Sequence, residues 1–154
     1  MQNISEIAVF VLLGAAFAAG LVFFARWAVQ NPLRVSAFAL ISVSFIYVGL
    51  AFGSDNPQSW TAIEMTGVAL FGSLAGASLI GSPWFGVVGL ALHPLWDIVY
   101  HYVGPGADFT PAPFALADAG FCGALAVYAA LAIATTRPAA ATPPPAAKNR
   151  RSKR

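Results

Sequence analysis

Charge is what this chain most lacks. Only 9% of its 154 residues are Asp, Glu, Lys or Arg, against roughly a quarter in a soluble domain, so there is too little polar surface to coat a water-soluble globule. The deficit is uneven, because six of the eight Lys and Arg residues lie at Arg137 or beyond. Cysteine is almost missing as well: the single Cys122 excludes an internal disulfide framework and reads as a small apolar packing residue. No Lys or Arg precedes the first apolar run, and a secretory signal peptide needs a positive n-region, so that run reads as a retained helix. No repeat, glycine-rich phosphate loop or metal finger is visible. The basic residues share no folded face, which removes nucleic acid from the expected partners.

What is present is apolar. Hydrophobic residues make up 58% of the chain and the mean hydropathy is +0.73. About 20 residues at a rise of about 1.5 Å each cross a hydrocarbon core of roughly 30 Å, and runs of that length recur. The first, 7–26, closes at Arg26-Trp27, and Asn31-Pro32 breaks the helix. The second, 35–52, is softened only by Ser36, Ser42 and Ser44, whose hydroxyls are able to bond back to helix carbonyls. A turn cluster at Gly53-Ser54-Asp55-Asn56-Pro57 precedes 60–80, with Trp60 as an interfacial anchor. Gly81-Ser82-Pro83 leads into 84–103, Gly104-Pro105-Gly106 ends that run, and 114–134 stops at Thr135-Thr136-Arg137-Pro138. The expected fold is all-α: a polytopic membrane bundle of about five transmembrane helices over residues 1–137, followed by a disordered Pro/Ala-rich basic tail over 138–154. Gly72, Ser73 and Gly76 in the third span are expected to allow close helix contact.

Lys and Arg near span ends stay on the cytoplasmic side. With five spans, Arg26 and Arg34 in the first link and Arg137 with the tail fall on one side, while Glu6, Asp55 and Asp108 fall on the other. The sequence therefore predicts a multi-pass cell-membrane protein with its N-terminus outside and its C-terminus cytoplasmic. The abundance of Ala, Gly and Pro associates it with a high-GC genome and so with a bacterial inner membrane. The basic tail sets this topology, and it is also able to touch anionic lipid headgroups.

Six acidic residues and two histidines occur in the chain, and five of these eight share one depth. Glu64 lies about one turn below the outer surface, His101 at the outer rim, Asp97 one turn deeper, His93 near mid-depth, and Asp118 about one turn into the last span. His93, Asp97 and His101 are spaced by four, so each step turns the helix by only about 40° and the three form one stripe. Pro94 removes a backbone donor and is expected to kink the span and open space beside the stripe. Because a charge in hydrocarbon costs at least about 2.5 kcal/mol, such residues normally face the interior and pair. Each also has a plain reading: Glu64 reaching water, Asp118 favouring a helix N-terminus, Asp97 and His101 as a structural ion pair, His93 as a satisfied core histidine. It is the joint placement that marks a candidate site.

That site, Glu64, His93, Asp97, His101 and Asp118, admits several chemistries. The carboxylates and imidazoles suit general acid–base work on a lipidic or isoprenoid ligand entering from the outer leaflet. His93, Asp97 and His101 are the candidate metal ligands, for zinc or non-haem iron. A purely structural layer that fixes helix packing is the alternative. A proton relay or transporter ranks lower, because it would need oligomerisation or a water path from both sides.

Trp60 with Glu64, Gly89, the run His93-Pro94-Leu95-Trp96-Asp97-Ile98-Val99-Tyr100-His101, the Gly-Pro loop after it and Asp118 together resemble a family of small bacterial and fungal integral membrane proteins without assigned activity. The element is H-x-x-W-D-x-x-x-H, and the likeness covers Trp60 to about Tyr128. Where the family usually carries a His-His pair, this chain has Tyr100-His101. The resemblance implies shared architecture and a shared polar layer, and it implies no reaction.

Overall fold

The computed structural model describes residues 3–135; the basic tail, 138–154, lies outside the described residues, as does Arg137. The described residues form five α-helices and no strand: α1 Ile4–Phe24, α2 Pro32–Ala51, α3 Pro57–Ile80, α4 Trp84–Trp96 and α5 Ala112–Thr135. Helix α1 runs on into a π-helical turn, Ala25–Val29, and α4 into another, Asp97–Tyr102, before a short 3₁₀ turn at Pro105–Asp108.

Asparagines start three of these helices. The Asn3 side chain accepts from the Glu6 N–H at 2.9 Å while the Glu6 carboxylate takes the Asn3 N–H at 3.2 Å, which closes a capping box. Asn31 and Asn56 accept from the N–H groups of Arg34 and Ser59, with Pro32 and Pro57 in the first turn. A proline there gives up no hydrogen bond, because those N–H groups have no partner within the helix. Asn31-Pro32, expected as a break, is thus the start of α2, at 32 and not 35, and Asn56-Pro57 starts α3 at 57 and not 60. Ser36, Ser42 and Ser44 do bond back to carbonyls four residues earlier, each at 2.9 Å.

Four helical segments, Ile4–Val29, Pro32–Ala51, Pro57–Ile80 and Ala112–Thr135, are long and apolar enough to cross a membrane by length and composition. Helix α4 with its π-helical extension is not among them, because His93, Pro94, Asp97 and His101 interrupt its apolar run. It stands in the bundle by virtue of its neighbours. Helix α5 packs chiefly between α1 and α4, and α3 between α4 and α2, so the order around the bundle is α1, α5, α4, α3, α2. The ring closes only lightly where α2 meets α1.

The tightest crossing is α1 on α5. A Cβ at Gly14 would overlap the Ala117 carbonyl, and one at Gly120 would overlap the carbonyl of Val11. Only glycine allows backbones this close. The stripe expected to serve this purpose, Gly72-Ser73-Gly76, does not: a Cβ at Gly72 or Gly76 would meet nothing. The buried face of α3 is set by Glu64, Gly67, Val68, Phe71 and Ala75, which turns that stripe aside. Leu40, Phe71, Leu90 and Leu125 form the centre of the apolar core.

Candidate functional site

The polar residues gather near the bundle end that carries the α2–α3 and α4–α5 loops. Glu64, His93, Asp97, His101 and Asp118 are 2, 1, 0, 0 and 6% exposed, values that leave no route for any of them simply to reach water. Glu64 therefore does not extend to the surface, and His101, expected at the rim, is covered. Its lid is the loop after the π-helical turn: Thr110 lies 3.2 Å from His101 Nδ1, and the Phe109 ring sits edge-on to the imidazole. Asp118 lies in the second turn of α5 and caps nothing.

Two subclusters make up the layer. In the first, His93 Nδ1 is 3.1 Å from Asp97 Oδ2 and 3.8 Å from Asp118 Oδ2, and the Cys122 thiol donates to Asp118 Oδ1 at 3.6 Å. One nitrogen carries one hydrogen, so the two carboxylates compete for it and the nearer Asp97 is served. In the second, His101 Nε2 faces Glu64 Oε1 at 3.5 Å, without an aligned hydrogen bond. Tyr47 of α2 joins the two. Its ring stacks on His101 at 4.2 Å and lies 6.0 Å from His93. Its hydroxyl lies close to the Asp97 and Asp118 carboxylates without meeting either in good alignment.

The π-helical turn is what holds the stripe together. In a continuous α-helix His101 would be displaced from His93 by two steps of about 40°. Widening the turn at Asp97–Tyr102 adds a residue per turn and takes back part of that drift. Pro94, which donates no hydrogen bond, lies just upstream. It opens no cavity beside the stripe, contrary to expectation: the space among Ser44, Tyr47, Glu64, Phe71, His93 and Trp96 is too tight for a water molecule. Phe71, 4.6 Å from the His93 ring, and Trp96, edge-on to Phe71, fill it.

The opening lies elsewhere. Along the lightly closed seam between α1 and α2, an apolar cleft of about 280 Å³ is lined by Gly14, Phe17, Val43, Ile46, Phe114 and Phe121, and Asp118 lies in its wall. A second cleft of about 330 Å³ continues down the same seam past Leu21, Phe38 and Phe121. The layer thus borders an apolar cleft at one edge, and that edge is a carboxylate.

His93, Asp97 and His101 do not form a common ligand set, because the Tyr47 ring stacks on His101 and Glu64 and Thr110 flank its two nitrogens. Among the described residues, the three side chains whose ligand atoms come within 4.8 Å of one another are His93, Asp118 and Cys122. Sequence reasoning placed Cys122 in the packing and did not single out Tyr47 or Thr110. Cys122 was detectable, four residues after Asp118 and hence on the same helix face. Tyr47, one turn from the end of α2, carried a weaker signal, and Thr110 none.

A five-helix bundle enclosing an acid-rich polar layer is the class these features define. Compared with known proteins, the chain matches no family model, no curated protein and no solved structure.

Proposed function

We propose that the protein is a multi-pass protein of a bacterial inner membrane, N-terminus outside and C-terminus cytoplasmic, whose polar layer binds a lipidic or isoprenoid ligand and acts on it by acid–base chemistry. The observation that carries this reading is the position of Asp118. It is hydrogen-bonded into the layer through Cys122 and faces His93, and it also lies in the wall of an apolar cleft between α1, α2 and α5. A cleft of about 280 Å³ is close to the lower end of the range of ligand sites, roughly 300–1,000 Å³, and suits a narrow hydrocarbon segment. Asp118 would be the group that touches the ligand, with His93 and Asp97 behind it to take or return a proton. The basic residues Arg26 and Arg34, at the end opposite the layer, favour the stated orientation.

A diazirine-bearing fatty acid and a diazirine-bearing farnesyl lipid test the reading in membranes containing the full chain. Photolabelling is expected at peptides holding Phe17, Ile46 or Phe121, and Ile46→Trp, which fills the cleft, is expected to abolish it without changing thermal stability. Labelling spread evenly over every lipid-facing helix, unaltered by Ile46→Trp, would sink the proposal. One observation favours the other reading, a layer that only fixes packing: the centre of the layer admits no water. On that reading Asp118→Asn destabilises the bundle and changes no labelling.

A further inference from the structure

We propose that His93, Asp118 and Cys122 form a binding site for one divalent transition-metal ion of the zinc type. The site shares Asp118 and His93 with the reading above but does not depend on a lipidic ligand. Three observations carry it.

The first is geometric. One ligand atom from each residue lies within 4.8 Å of the other two, and all three side chains are buried. Zinc bonds of about 2.0 Å to nitrogen or oxygen and about 2.3 Å to sulfur place neighbouring ligand atoms roughly 3.5 Å apart. The set needs a contraction on the order of an ångström to close on an ion. Asp118 and Cys122, four residues apart on α5, present their ligands from one helix face, and His93 meets them from α4, which packs directly against α5.

The second is the state of the surrounding polar atoms. Asp118 Oδ2, Asp97 Oδ1 and the Tyr47 hydroxyl are all buried, all near this point, and none has a hydrogen-bond partner. Buried polar atoms are nearly always satisfied, and each one left over costs about 1–3 kcal/mol. The Tyr47 hydroxyl and His93 Nδ1 approach the Asp118 carboxylate without an aligned hydrogen bond to Oδ2, and an ion beside that oxygen would give it a well-placed partner.

The third is charge. The layer holds three buried carboxyl groups and two imidazoles, so three carboxylates would outnumber two imidazolium ions by one negative charge. No Lys or Arg helps, because Arg26 and Arg34, those among the described residues, lie at the opposite end of the bundle. A divalent ion with the Asp118 carboxylate, a Cys122 thiolate and a neutral His93 forms a unit of zero net charge. With His93 Nε2 as the ligand atom, Asp97, 3.1 Å from Nδ1, is the carboxylate that orients the ring. Glu64 and His101 remain as a separate pair. Thiolate and imidazole together select zinc or a similar soft-to-borderline ion over magnesium or calcium, which take oxygen. Binding releases the thiol proton to solvent, and no oxidant or reductant is involved.

The experiment uses the full chain purified in detergent, stripped with chelator, reloaded with zinc and desalted, with metal counted by elemental mass spectrometry. About one zinc per chain is expected in the natural sequence and in His101→Gln. Cys122→Ser and Asp118→Asn are expected to lose at least about 90% of it, the lower end of the 10–100-fold losses usual when a metal environment is damaged. Cobalt loading supplies a second readout that needs no variant: a near-ultraviolet thiolate-to-cobalt band in the natural sequence, whose single cysteine is Cys122. A natural sequence that keeps less than about a tenth of an equivalent and shows no cobalt band overturns the proposal, leaving protons to neutralise the layer. Equal zinc in the natural sequence and in folded Cys122→Ser overturns it too, as would loss of zinc in His101→Gln alone.

Discussion

Consider the pair of Glu64 and His101, 3.5 Å apart, 2 and 0% exposed, with the Tyr47 ring stacked on the imidazole. Removing one member of a buried ion pair leaves an uncompensated charge and typically costs about 3–5 kcal/mol, whereas replacing both by apolar residues of similar volume is often neutral or stabilising. The poor alignment, with Glu64 Oε1 and His101 Nε2 both lacking a true hydrogen bond, argues for the lower end, about 3 kcal/mol for each single variant. Glu64→Leu and His101→Leu conserve volume approximately. Their double variant is expected to lie within about 1 kcal/mol of the natural sequence, which gives a coupling energy of about 5 kcal/mol. Neutral side-chain hydrogen bonds between membrane helices couple far more weakly, by about 0.6 kcal/mol on average and about 1.7 at most. The two possibilities are therefore well separated. Reversible unfolding in mixed detergent micelles with increasing dodecyl sulfate measures all four proteins. Single variants that each cost less than about 1 kcal/mol and add in the double variant would refute the reasoning, because the layer would then hold no charged pair there.

Further outcomes follow from other features. Gly120→Ala is expected to push α1 off α5, since its Cβ would overlap the Val11 carbonyl, whereas a Cβ at Gly123 would meet nothing. Gly123→Ala should be neutral or stabilising by up to about 1 kcal/mol, and thermal melts of the two proteins in detergent compare them directly. Thr110→Ala removes the lid's contact with His101 Nδ1 at a cost of about 1 kcal/mol. It should speed hydrogen exchange at Gly106–Thr110 without altering exchange in α1; unchanged exchange in that loop would mean that the contact does not hold it. In a Cys122→Ala background, a cysteine at Asp55 should react with an impermeant maleimide in intact cells. One at Arg34 should react only after permeabilisation, and the reverse pattern would invert the proposed orientation.

The helical bundle was legible because long apolar runs recur and because Gly-Pro and Asn-Pro punctuation marks their ends. That Glu64, His93, Asp97, His101 and Asp118 lie toward one end of the bundle was legible because helical rise converts position in a helix into height. Azimuth was not. Which helix each side chain faces depends on the order α1, α5, α4, α3, α2 and on the close crossing at Gly14 and Gly120. No periodicity within a uniformly apolar helix reports that order. The same limit hid Tyr47 and turned the expected His93, Asp97 and His101 trio into two subclusters. The π-helical turn at Asp97–Tyr102 was hidden for a different reason, because it exchanges one local hydrogen-bond pattern for another at little cost in sequence.

The place of α5 between α1 and α4 also bears on biogenesis. Helix α1 emerges from the ribosome first and finds its chief partner last, and it meets its immediate successor α2 only lightly. Until α5 arrives, α4 presents His93 and Asp97 toward an empty flank, and α1 lacks its chief partner. Translation of the fifth helix is thus the step that commits the chain, supplying Asp118 and Cys122 to the layer and the glycine against which the first helix docks. A nascent chain halted before Ala112 would lack Asp118 and Cys122 and would leave the α5 side of His93 and Asp97 uncovered.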